Sequence, residues 1–118
     1  MKSFVVIVSA ALLLASCSSS SPQKSVEECW HNLNRGHYKN AVELFLTTPD
    51  EEAVLRETFA EQGSKIKQAG GVADIEILSY DISTDSAKVS AAVTFGNSQK
   101  IEQEYSLVLK NKKWLIVW

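Results

Sequence analysis

An α+β domain is what this sequence predicts: N-terminal helices packed on a curved antiparallel sheet of about four strands. Apolar residues recur at intervals of three and four up to residue 69, and from Val72 onward the interval drops to two. Helical pattern followed by strand pattern, without alternation between them, excludes a βαβ arrangement. The 118 residues, 12 basic and 14 acidic with a net charge of −2, suit one domain preceded by a short leader. That balance is too acidic for a nucleic-acid partner, and no Lys/Arg block is present to hold anionic headgroups.

The leader comes first. Met1-Lys2 and an apolar run over residues 4–14 precede Leu14-Ala15-Ser16-Cys17. This is the layout of a secretory signal, with small residues before the cut. The apolar run is too short to span a bilayer, which needs about 20 such residues. Leu14, Ala15, Ser16 and Cys17 together resemble the lipobox of bacterial lipoproteins. That resemblance implies a diacylglycerol on the Cys17 sulfur, cleavage before Cys17 and an exported protein anchored in the cell-envelope membrane. Ser18 after Cys17 resembles the outer-membrane sorting pattern. Residues 1–16 are therefore expected to be removed, 17–24 to form the lipidated cysteine and a flexible tether, and 25–118 to fold.

Within that domain, Ser25 and Glu28 fit a capping box, and Val26, Cys29, Trp30 and Leu33 form one apolar stripe ending at Gly36. A second helix is expected over residues 37–46, with Tyr38, Ala41, Val42 and Phe45 on one face. Thr48-Pro49-Asp50-Glu51 supplies a cap, a proline at the first helical position and acids at the positive end of the dipole. The long helix it opens should reach about Ala69, with Leu55, Phe59, Gln62 and Ile66 on its stripe, Val54 beside it and Gly63 marking a bend.

Four strands follow. The first alternates Ala73, Ile75 and Ile77 against Asp74, Glu76 and Leu78, and 81–85 should turn the chain. The second sets Ala87, Val89, Ala91, Val93 and Phe95 on one face before a tight turn at 96–98. Ile101, Gln103, Tyr105, Leu107 and Leu109 face inward on the third, and Trp114, Ile116 and Trp118 on the fourth.

Three segments carry a second resemblance: residues 36–41, Ser86-Ala87-Lys88-Val89, and 110–116 with its Trp114. They are similar to the small bacterial lipoproteins with a DUF4878 (lumazine-binding-like) domain, in the NTF2-like, cystatin-like superfamily. His37 stands where that family usually has an acid, and Lys113 where it usually has glycine. The likeness implies a cone-shaped domain with a cavity between helix and sheet, and it supplies no catalytic residues.

Chemistry is harder to find. The two cysteines leave Cys29 alone once Cys17 is lipidated, so no internal disulfide is expected. A Cys29–His31 metal pair is disfavoured, because residues two apart on a helix point to different faces and structural zinc takes four ligands. No phosphate loop, serine-nucleophile motif or cofactor motif occurs. Gln103, Tyr105 and Trp114 are the residues expected to line a pocket, with Gln103 at its rim. Ala92, Val108, Leu115 and Val117 should form an apolar patch on the outer sheet face and offer a homodimer surface. The function expected is a non-enzymatic envelope binding module for a protein or small apolar ligand. The alternative is an isomerase- or dehydratase-like enzyme using the cone cavity.

Replacing Cys17 with alanine should leave the protein unprocessed or release it from the membrane fraction. Mass spectrometry and fractionation of the Cys17→Ala variant test this, and a membrane-bound variant of wild-type mass would refute lipidation.

Overall fold

The computed structural model describes residues 21–118; Leu14, Ala15, Ser16, Cys17 and the expected cleavage and lipidation lie outside them. Three helices, α1 (Pro22–Arg35), α2 (Tyr38–Val42) and α3 (Pro49–Gln68), precede four strands, β1 (Val72–Ile82), β2 (Ser86–Phe95), β3 (Lys100–Lys110) and β4 (Lys113–Val117). The strands pair antiparallel in the order β1-β2-β3-β4, the meander that the period-2 pattern implies. No helix among the described residues is long and apolar enough to cross a membrane.

α1 begins four residues earlier than expected. Ser21, not Ser25, is its cap and accepts from the Lys24 amide at 3.1 Å. Residues 22–24 therefore belong to the domain rather than to a tether. Ser25 is buried, and its hydroxyl donates to the Trp114 carbonyl at 2.8 Å. A hydroxyl enclosed by a core must be bonded, so the tertiary partner displaces the local cap. At the other end Gly36 adopts φ 79°, and the amides of Gly36 and His37 close on Leu33 and Asn32 in a Schellman motif. Val26, Cys29, Trp30 and Leu33 are all buried, as their spacing requires.

α2 stops at Val42 rather than extending to residue 46. The backbone beyond it meets the free edge of β4 instead: Leu46 donates to the Ile116 carbonyl at 2.9 Å, and Ile116 donates to Leu44 at 2.8 Å. Phe45 thus sits in a parallel bridge with Ile116, its ring 5.2 Å from that of Phe59.

α3 opens on a complete capping box between Thr48 and Glu51. It runs unbroken through Gly63, where the sequence suggested a bend. The glycine serves packing: a Cβ there would overlap the Tyr38 hydroxyl and lie 2.6 Å from Tyr38 Cε1. Leu55, Phe59 and Ile66 are buried, whereas Gln62 and Val54 are exposed. At the end of α3 the chain is stitched to the β2–β3 turn, with Gly96 donating to the Gly71 carbonyl at 2.9 Å and Asn97 to Ala69 at 2.8 Å.

In the sheet, the registers align Ile75, Val93 and Ile101 in one inward row and Ile77, Ala91 and Gln103 in the next. Tyr80, Val89 and Tyr105 follow, then Ile82, Ala87, Leu107 and Ile116. β1 extends to Ile82, past the expected turn at 81, and Ala73 is exposed. Register shifts between Val72 and Asp74 and between Ile77 and Ser79 interrupt this strand. β3 and β4 join through a two-residue turn in which Asn111 and Lys112 take φ 51° and 64°, the primed geometry that matches strand twist.

α1 is the helix that lies on the sheet, packing against β1, β2 and β4. α3 packs on α1 and α2 instead, so the sheet does not wrap the long helix as a curled sheet round a rod.

A Gly→Ala change inside a helix ordinarily gains about 1 kcal/mol. Gly63→Ala should instead destabilise by about 1–3 kcal/mol through overpacking against Tyr38. In a Tyr38→Ala background the same change should become neutral or favourable. Chemical denaturation of the four proteins measures the coupling.

Candidate functional site

Because α3 stands off the sheet, a cavity of about 530 Å³ opens between it and the concave face. Leu55, Thr58, Phe59 and Gln62 of α3 form one wall, and Ile101, Gln103 and Tyr105 of β3 the other. Cys29, Trp30 and Leu33 of α1 floor it, and Trp118, 53% exposed, stands at its mouth. The lining is mainly apolar and aromatic, with polar groups (Thr58, Gln62, Lys65, Gln99) along the rim. This size lies within the usual range for small-ligand sites.

Of the pocket residues expected from sequence, Gln103 and Tyr105 line this cavity and Trp114 does not. Trp114 is buried in the core, where its carbonyl receives the Ser25 hydroxyl. Inward alternation alone cannot separate a residue beneath a helix from one beside a gap. Gln103 is exposed at the rim. Sequence reasoning missed Trp30 as a groove residue, and it favoured plain core for Trp118, which lines the groove. The inward parity of Trp118 was visible, but the absence of a helix above it was not.

Trp30 organises the floor. Its indole N–H donates to the Tyr105 hydroxyl at 2.8 Å, and its ring meets Phe95 edge-on at 6.1 Å and 68°. Burial pushes the Tyr105 hydroxyl up from 10.0 to about 12; the Trp30 bond works against that rise and Cys29 adds to it. Burial likewise pushes the Cys29 thiol up from 9.0 to about 12. Both groups are protonated at neutral pH, and Cys29 behaves as a small apolar filler. Among the described residues no three or more His, Cys, Asp or Glu gather to hold a metal ion.

On the outer face the expected patch divides. Val108 and Leu115 are direct cross-strand partners, and Val117 lies opposite Ser106 beside them. Ala92 is remote from these, buried between its partners Glu76 and Glu102. The contiguous apolar surface therefore consists of three residues at the β4 side.

The architecture matches solved NTF2-like structures. A Campylobacter jejuni protein named as a candidate NTF2-like transpeptidase is 26% identical over 84% of this chain and 99% of its own, with a TM-score of 0.71. A SEC-C motif-containing protein from Rhodopseudomonas palustris is 12% identical, covering 89% of this chain and 82% of its own, with a TM-score of 0.66. A de novo designed NTF2-fold protein superposes with a TM-score of 0.55 at 18% identity, over 86% and 87% of the two chains. No family model and no curated protein sequence matches the chain. The fold is the NTF2-like α+β cone.

Stability should fall as pH rises from about 9 to 12. The unfolded chain loses the Cys29 and Tyr105 protons near 9.0 and 10.0, while the folded chain keeps them to about 12. Stabilisation from both groups is thus complete below pH 9. Urea midpoints measured from pH 8 to 11 should decline, and the Cys29→Ala, Tyr105→Phe double variant should decline less steeply.

Proposed function

We propose that this protein is a lipid-anchored cell-envelope binding module that takes apolar material into the groove between α3 and β3. The groove itself carries the reading: an open, aromatic-floored space of about 530 Å³ beside an exposed Trp118. Keeping that much apolar surface accessible forgoes the stabilisation of burying it, roughly 25 cal/mol per Å². The address comes from Leu14-Ala15-Ser16-Cys17 and the likeness to DUF4878 lipoproteins. Two lipid chains on Cys17 would make anchoring stable where one would not.

Catalysis is a poorer fit. The name of the Campylobacter protein suggests acyl transfer, which needs an activated nucleophile and a base in hydrogen-bond reach. Cys29 lines the groove, yet burial holds its thiol protonated. The isomerase-like alternative needs a carboxylate base inside the cone; Glu76 and Glu102 flank Ala92 on the outer face, and Glu104, which borders the groove, shares that outer-face parity.

A brominated fatty acid should quench tryptophan fluorescence of the full chain, because Trp30 and Trp118 line the groove. Ile101→Glu places a charge in the groove at a position already 39% exposed, and should weaken quenching at least tenfold without unfolding the domain. Equal quenching of wild type and Ile101→Glu would refute the groove as a binding site.

A further inference from the structure

We propose that the open edge of β3, from Lys100 to Glu104, receives an extended peptide segment as a fifth antiparallel strand. Its alternate apolar side chains enter the groove. This deepens the groove reading above and rests on it.

The edge follows from the register. β4 pairs with β3 only between Ser106↔Val117 and Lys110↔Lys113, so residues 100–105 have no strand beyond them among the described residues. The two-residue turn makes Lys110 and Lys113 a mutually hydrogen-bonded pair, and in an antiparallel ladder such pairs recur at every second residue. Val108 and Ser106 therefore bond to β4, and the same phase aims the amides and carbonyls of Glu104, Glu102 and Lys100 at open space. Glu104 borders the groove although its side chain belongs to the outer face, as expected when its backbone forms the wall.

The sheet's other edge is irregular and this one is not. β1 carries two register shifts, a feature that discourages strand addition. β3 pairs with β2 without interruption from Lys100 to Val108. A strand laid along it would place every second side chain opposite Ile101 and Gln103, facing the groove between β3 and α3.

Charge specifies the other positions. Glu102 and Glu104 face Ala92 and Ser90 across β2, so neither has a cation opposite it. Directly opposed unlike charges stabilise a strand pair. The segment that fits is extended, with Lys or Arg outward at alternate positions and Ile, Val or Leu between them.

The probe is a capped seven-residue peptide alternating lysine with isoleucine, titrated into the purified full chain and followed by amide chemical shifts and hydrogen exchange. Binding should protect the Glu102 and Glu104 amides. The lysines of the probe occupy the hydrogen-bonded positions, so N-methylating their amides should abolish binding, whereas N-methylating the isoleucine amides should leave it within about threefold. The Glu102→Lys, Glu104→Lys double variant alters only exposed side chains. It should weaken the probe at least tenfold and favour a glutamate–isoleucine counterpart. Any other methylation pattern overturns strand addition, as does unchanged affinity in the charge variant. A dimeric mass with both amides protected before peptide is added assigns the edge to a second copy and also overturns it. Fatty-acid quenching that depends on Ile101 without peptide binding refutes the strand alone; loss of that quenching dependence refutes the groove.

Discussion

The seating of α1 on the concave face of the sheet is the constraint from which the rest of this structure follows. Its stripe of Val26, Cys29, Trp30 and Leu33 is almost wholly enclosed. Each large apolar side chain so buried contributes about 1.5–3 kcal/mol. Two polar contacts then fix where along the sheet the helix sits. The Ser25 hydroxyl reaches the Trp114 carbonyl at the start of β4, and the Asn34 side-chain carbonyl accepts the Val72 amide at the start of β1. The helix therefore crosses the full width of the meander. Small residues at Ala87 and Ala91, both buried, leave room for it at the centre.

One helix cannot cover a curved sheet of four strands. Beside α1, part of the inward face of β3 is left over, and α3 faces that remainder without filling the space. The functional proposals rest on this mismatch of areas. Trp30 lies on the boundary, since one side belongs to the core while its N–H and ring edge hold Tyr105 and Phe95 around the opening.

Much of this was legible in the residues. The alternation through Ala87, Val89, Ala91 and Val93 identified the inward face of β2, because one face of an antiparallel sheet must be buried and the period is two. Thr48-Pro49-Asp50-Glu51 marked the start of α3 because its cap is local chemistry. The errors have a common origin in contacts remote in sequence. Ser25 offered a plausible local cap, but its hydroxyl is claimed 89 residues away. Gly63 resembled a helix breaker until Tyr38 occupied the missing side chain's place. Phe45 kept its apolar role while its backbone left the helix for β4. Trp114 and Trp118 share a parity, and only the position of the helices buries one and bares the other.

The long helix is tied at both ends. Leu44 and Leu46, just before it, exchange backbone hydrogen bonds with Ile116; Ala69 and Gly71, just after it, accept from Asn97 and Gly96. Gly96 and Gly70 approach so closely that a Cβ at Gly96 would lie 2.9 Å from the Gly70 carbonyl carbon. α3 is therefore an arch with two abutments, and the span beneath it is set by those ties. A guest of the proposed kind would meet a finished vault and lose little affinity to ordering its host. The same masonry sets an upper limit on girth, because widening the passage means prising an abutment loose.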